Sequence, residues 1–355
     1  MEVYIKSATA ISPQHTFFGK LPDEAVIVPG NRLSCIEPDY KEYIDAALRR
    51  RMSRIIKMGV ATAVKCLHEA KVDQPDAIIT ATGLGCLSDT EVFMNSILEN
   101  NESLTSPTAF IQSTFNTIGA QIALMLKNHN YNFTYVHRGF SFESALLDAM
   151  MQIDNHEATN ILVGGIDELT DISYSIMQRM GFWKTNLTDN TQLYDENTRG
   201  SIAGEGSTFF VLSKHASLSD NIRITALNTF YKPSGNKEIE RRVADFLDSK
   251  NLELKNISLL ILGRSGDYKL DEPYRFLQSN LLDGLPYAYF KHLCGEYHTA
   301  SAFALWLGAT ILKNREIPEA AIPMYGSIPE NHSVKRILIY NHYRNINHSL
   351  MLLEI

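Results

Sequence analysis

Residues 132–149 read NFTYVHRGFSFESALLDA. The first part, through Gly139, reads as a strand that runs into a glycine turn. A helix is predicted from about Ser141 to Ile153. A strand–turn–helix elbow of this kind exposes one residue at the end of the strand and at the N-terminus of the helix. Unpaired N–H groups and the helix dipole can stabilise an anion there.

Outward from the elbow, strand and helix signals alternate. Upstream lie a strand, VYIKSATAIS, and a proline-bearing extended region over 13–45 with Pro13, Pro22, Pro29 and Pro38. Helical periodicity runs from near Tyr43 to about Ala70. A strand with a glycine turn follows, DAIITATGLG (76–85), then a helix from about Thr90 to Asn100. A small-residue helix, FNTIGAQIALML (115–126), comes after Pro107. Downstream, ATNILVGGID (158–167), GSTFFVLSK and NIRITALNTF read as strands. KEIERRVADFLDSK reads as a helix, ISLLILGRSGD as a buried strand and turn, and DEPYRFLQSNLL as a helix. TASAFALWLGATIL (299–312) reads as a buried helix, and VKRILIYN and HSLMLLEI as closing strands. This alternation predicts a layered α/β fold with sheets covered on both faces.

Composition narrows the functional classes. The 355 residues carry a net charge of −7, which disfavours nucleic-acid binding. Cys35, Cys66, Cys86 and Cys294 have no CxxC spacing, so neither a zinc site nor a disulfide framework is expected, and a reducing cytoplasm is the expected setting. The start of the chain lacks a basic segment followed by an apolar one, so no export signal is expected. The uncharged runs Thr105–Leu126 and Tyr297–Leu312 read as buried helices, and no membrane insertion is expected. Phosphate-loop, dinucleotide, HExxH and GxSxG motifs are missing from the sequence, and the eleven histidines are dispersed. No metal is expected. The basic stretch LRRRMSRIIK (48–57) is either a docking surface for an acidic carrier protein or a solvated helix face.

Several segments, in order, resemble the β-ketoacyl-acyl carrier protein synthases of the thiolase fold. TATGLG resembles the family's early glycine turn, and SPTAFIQSTFNTIGAQIA (106–123) its Pro-to-Asn segment, with Asn116 at the recurrent asparagine. LVGGIDEL resembles the Gly-Gly-x-Glu strand. YDENTRGSIAGEGSTFFVL (194–212) resembles the Asp-x-x-Arg-x-Gly-x-x-x-Gly-Glu-Gly stretch, with Gly200, Gly204, Glu205 and Gly206 in place and Arg199 directly before Gly200. FKHLCGEYHTASA (290–302) resembles the Lys-Ser-x-x-Gly-His segment, with Lys291 retained. The resemblance implies a thiolase-like five-layered α/β/α/β/α fold of two similar halves with mixed sheets, residues 1–215 and 216–355.

Family enzymes acylate a cysteine and use two histidines to stabilise the enolate of a decarboxylating malonyl thioester. In this sequence the cysteine position is Gly139, the first histidine falls on Gly263, and the second on Glu296. Asp271 stands at the acidic residue eight positions after Gly263. No family catalytic residue is therefore intact. A glycine cannot be acylated, and an ionised carboxylate only accepts hydrogen bonds. Glycine at an elbow suits a strained or positive-φ backbone. The family's glycine-rich closing loop reads NHYRNIN (341–347) here, without its glycines.

The pattern resembles chain length factors, the catalytically silent partners of ketosynthases in type II polyketide and aryl-polyene systems. Those commonly carry glutamine at the cysteine position, so a glutamine-assisted decarboxylation does not carry over to Gly139. The resemblance implies pairing with an active ketosynthase or with itself, and action with a phosphopantetheinylated acyl carrier protein, without a bound cofactor. A homodimeric acyltransferase or hydrolase with a relocated nucleophile stays open. Asn116, His137, Ser141, Cys294 and His298 are expected near its pocket. A binding protein for acyl chains or carrier protein is the third reading.

Overall fold

The computed structural model describes residues 2–21, 23–103, 107–195, 197–216, 221–322, 328 and 332–355. Pro22, Thr105, Ser106 and Glu196 lie outside the described residues.

Ten strands form one mixed sheet: β1 (Val3–Ile11), β2 (Ala77–Ala81), β3 (Tyr131–Tyr135), β4 (Asn160–Asp167), β5 (Gly206–Ser213), β6 (Arg223–Tyr231), β7 (Leu259–Leu262), β8 (Tyr287–Tyr289), β9 (Arg336–Tyr343) and β10 (Asn347–Glu354). Their order is β3-β2-β4-β5-β1-β6-β10-β9-β7-β8. The order reads the same from both ends: the first five strands run 3-2-4-5-1 inward, and the last five mirror them. The two sets meet at a short antiparallel contact, where Val3 pairs with Ile224 and Tyr4 with Arg223.

The helices are α1 (Ala46–Arg49), α2 (Arg54–Ala70), α3 (Leu87–Glu99), α4 (Pro107–Gln112), α5 (Thr117–Leu126), α6 (Ser141–Asp154), α7 (Asp171–Arg179), α8 (Asn236–Asp248), α9 (Glu272–Gln278), α10 (Lys291–Cys294) and α11 (Ala300–Asn314). Strand parity sorts them into layers, because successive side chains leave a strand on opposite faces. Ala77, Ile79 and Ala81 point to a core shared with α6 and α11, whereas Ile78 points to the core beneath α2 and α5. In the other half Leu259 and Ile261 join the α6–α11 core, and Leu260 and Leu262 pack under α8 and α9. The two halves of the sheet thus form two layers, with helices between them and on both outer faces. α11 is mostly apolar and every residue from Ala300 to Leu312 is buried, as its place between the two halves of the sheet demands.

Some elements differ from the sequence reading. The periodicity from Tyr43 to Ala70 is two helices, because Ser53 adopts an extended backbone and α2 starts anew behind it. The segment after Pro107 is likewise split into α4 and α5. β3 ends at Tyr135, so the elbow is longer than expected. The short edge strand β8 and helix α7 carried no clear signal. The closing segment 341–347 is no loose loop. It is the turn of the β9–β10 hairpin, with Asn347 paired to Tyr343.

Candidate functional site

The elbow is held by one hydroxyl. Ser141 Oγ accepts the His137 N–H at 2.8 Å and donates to the Arg138 carbonyl at 2.8 Å. That clamp fixes Arg138 at φ 50, a conformation that costs a non-glycine residue about a kcal/mol or more. The strain expected at Gly139 therefore sits one residue earlier, since Gly139 is not among the positive-φ residues. Glycine is required at 139 for space. A Cβ built there would lie under 3.0 Å from both Cβ and Cγ of Tyr343.

Tyr343 ends β9, and Asn341 lies two residues before it on the same side of that strand. Asn341 performs the matching task at Gly263. A Cβ on Gly263 would collide with the Asn341 side-chain amide and touch the Tyr274 hydroxyl at 3.0 Å. One face of β9 thus occupies the space beside both Gly139 and Gly263. The Tyr343 ring is also packed 4.6 Å from the ring of His298, and His298 in turn lies against Gly83 with no room for a Cβ.

The third position is an ion pair. Lys291 Nζ lies 2.6 Å from Glu296 Oε2 and donates at 3.3 Å to the His342 carbonyl. Lys291 is fully buried. Burial raises the Glu296 carboxyl above its ordinary value, and the Lys291 charge opposes that rise. A carboxylate so paired offers no hydrogen-bond donor to an oxyanion.

The surrounding motif residues have structural work. Asp167 accepts from Thr82 Oγ1 (3.0 Å), Gly83 N–H (2.8 Å), Thr299 N–H (2.9 Å) and Thr299 Oγ1 (2.8 Å), tying the ends of β2 and β4 to the start of α11. Glu205 receives both arms of Arg54 (2.7 and 2.5 Å) and the N–H groups of Cys35 and Leu169. Arg54, from the basic stretch 48–57, therefore points inward. Gly204 is obligatory because the Cys294 carbonyl and Gly295 lie where its Cβ would be. Asp271 accepts from the N–H groups of Ser265 (2.7 Å) and Gly266 (3.0 Å) and folds the loop after β7.

What remains between these groups is a cavity of about 20 Å³, bordered by Asp167, Glu168, Glu296, His298 and Tyr343. That is room for about one water molecule. Burial lowers the His298 imidazole below its ordinary value and raises the Glu168 carboxyl to about 7. The other sequence-predicted residues are dispersed. Cys294 is fully buried, donates to the Gly295 carbonyl at 3.3 Å, and its thiol is pushed well up by burial, away from nucleophilic thiolate. Ser141 is spent on the elbow clamp. His137 is exposed, with Ser144 Oγ 3.5 Å from its Nδ1. Asn116 is exposed at the start of α5, where it borders surface grooves shared with Asn132. Sequence reasoning missed Tyr343, Asn341 and Glu168. The only signal for the first two was the loss of glycine from the closing segment. Among the described residues no group of His, Cys, Asp and Glu forms a metal site, and no helix is long and apolar enough to cross a membrane.

Beside the elbow the surface is apolar. β3 is the edge strand of the sheet, and Tyr131, Phe133 and Tyr135 stack along one face of it. Phe133 is 47% exposed, Leu98 of α3 73% and Leu124 of α5 71%. Phe110 and Ile111 of α4 and Met151 of α6 are also exposed.

Residues 35–187 match the family model of the β-ketoacyl synthase N-terminal domain. No curated protein matches the sequence. Among solved structures, the ishigamide ketosynthase/chain length factor superposes with a TM-score of 0.81 at 16% identity, covering 99% of this chain and 98% of that one. A β-ketoacyl synthase from Burkholderia phymatum STM815 gives 0.78 at 14%, covering 100% and 99%. A ketosynthase in complex with its chain length factor from Xenorhabdus doucetiae gives 0.77 at 14%, covering 99% and 98%. The chain has the ketosynthase-like thiolase fold.

Proposed function

We propose that this chain is a non-catalytic β-ketoacyl synthase-like subunit of the chain length factor kind. It pairs with an active ketosynthase and shapes the tunnel for the growing acyl chain. The observation that carries this reading is the filling of all three family catalytic positions by the chain's own side chains. Tyr343 fills the nucleophile position, Asn341 the first histidine position, and the Lys291–Glu296 pair the second. With about 20 Å³ left between Asp167, Glu168, Glu296, His298 and Tyr343, that cavity has no room for a thioester. The exposed aromatic edge of β3 and its neighbours α3–α6 suit an obligate partner, whose interface would bury on the order of 2,000 Å². Two of the similar solved structures contain a ketosynthase with a chain length factor, which supports a partner of that kind. An acyl carrier protein bearing phosphopantetheine would serve the pair, its thioester handled by the ketosynthase.

The test is co-expression with an active ketosynthase encoded beside this chain, followed by size-exclusion chromatography and product analysis. The two subunits should co-elute, and the chain alone should gain no mass when incubated with acyl and malonyl thioesters. A stoichiometric acyl adduct on the isolated protein, mapped to Cys294 or Ser141, would overturn the reading in favour of a relocated nucleophile.

A further inference from the structure

We infer that the β9–β10 hairpin is a locked stopper, with Tyr343 as an internal ligand permanently seated in the niche above Gly139. The observations are independent of any catalytic history. The Tyr343 Cβ and ring together occupy the position a Cβ on residue 139 would need, and the ring packs 4.6 Å from that of His298. The turn that carries it places Arg344 and Asn345 both at φ 54, a left-handed pair that asparagine tolerates and arginine does not favour. Two contacts hold that turn. The Arg344 guanidinium lies 3.6 Å from the centre of the Phe182 ring, and the Asn345 N–H donates to His342 Nδ1 at 3.1 Å. His342 is itself pinned, donating from Nε2 to the Leu270 carbonyl at 2.9 Å and stacked 4.6 Å from Tyr274. A gate that swings needs slack in its hinge. This hairpin has eight ladder pairs below it and a latch on each side of its tip.

The consequence is that residue 139 and residue 343 form one steric unit. Enlarging the first is tolerated only when the second is reduced, and the niche becomes open to reagents only when the tyrosine ring is removed. The inference stands whether or not the protein pairs with a ketosynthase, because it concerns this chain's own packing.

A double-mutant cycle tests it. Gly139→Ala, Tyr343→Gly and the double variant are compared by thermal and urea unfolding of the full chain. Gly139→Ala should lower the melting temperature by overpacking, and its effect should shrink or vanish in the Tyr343→Gly background, where the Cβ that lies nearest to residue 139 is also gone. If the single variant does not fold, recovery of folding in the double variant supports the inference, and failure to recover overturns it. An equal loss in both backgrounds also overturns it. As a second readout, Gly139→Cys is made with and without Tyr343→Gly, and alkylation of the introduced thiol by iodoacetamide is followed by peptide mass. That thiol should react many-fold faster when Tyr343 is removed. Equal rates in the two proteins would show that the ring is no stopper.

Discussion

Lys291 Nζ and Glu296 Oε2 lie 2.6 Å apart, and both charges are largely shielded from water: the two side chains are 0% and 10% exposed. The pair closes one turn of chain, from the first residue of α10 to the bridge that Glu296 makes with Ala203. A buried pair of this kind is weak evidence for net stability, but removal of one partner leaves a buried charge. Glu296→Ala should therefore destabilise the fold by about 3–5 kcal/mol, read from urea unfolding. Replacing both members together by Met and Leu should cost far less. Equal losses for the single and double variants would refute this account.

Glu143 is buried in the middle layer beside Ser349, whose hydroxyl donates to its Oε1 at 2.9 Å, and its Oε2 has no hydrogen-bond partner. Burial raises its carboxyl from 4.5 to about 7. The folded state thus binds the proton more tightly than the unfolded one. The stability this gives is full below the unfolded value and is lost as pH rises towards about 7. Glu143→Gln should consequently stabilise the protein more at pH 8 than at pH 4.5, by up to roughly 3 kcal/mol. Matched urea titrations at the two pH values check the sign.

His348 has the opposite linkage. It is fully buried between Phe230, 4.9 Å away, and Tyr340, whose hydroxyl is 2.9 Å from Nδ1. Burial lowers its imidazole from 6.5 to about 4, so the unfolded chain takes up a proton before the folded one does. Its contribution is complete above the unfolded value and falls away as pH drops to about 4. In His348→Phe the decline in stability over that range should be shallower than in the wild type, although the Tyr340 hydroxyl loses its partner. Parallel slopes would count against the assignment.

Phe133 and Tyr135 share one face of β3 but not one environment. Phe133 is 47% exposed, whereas Tyr135 is half-buried against the central core. Phe133→Asp should therefore leave the melting temperature of the isolated chain nearly unchanged and abolish association with the proposed ketosynthase partner. Tyr135→Asp should lower the melting temperature itself. If the folded Phe133→Asp protein still pairs and its partner stays fully active, the interface lies elsewhere.

Much of the fold was legible because it rests on local patterns. The alternation of apolar strands and amphipathic helices, the elbow at 132–149 and the glycine-marked turns each depend on a few neighbouring residues. Helix breaks were harder to read: nothing in the run from Tyr43 to Ala70 announced the extended backbone at Ser53. The site was half legible. Gly139, Gly263 and Glu296 could be marked as unable to do the family's chemistry, because that inability is a property of each side chain.

What stands beside Gly139 and Gly263 was decided only in three dimensions. Tyr343 is 204 positions from Gly139 along the chain, and Asn341 is 78 from Gly263. Both pairs meet because β9 runs beside β7 in the sheet and its end reaches the elbow across the middle layer. The same holds for Gly139 itself: the sequence alone determined that a glycine stands at the elbow, and suggested backbone freedom as the reason. The tertiary structure moved the strained φ to Arg138 and gave the glycine a different cause, the ring of Tyr343 in the space a side chain would need. A residue type records what is permitted locally, whereas excluded volume depends on which distant atoms the fold brings within van der Waals contact.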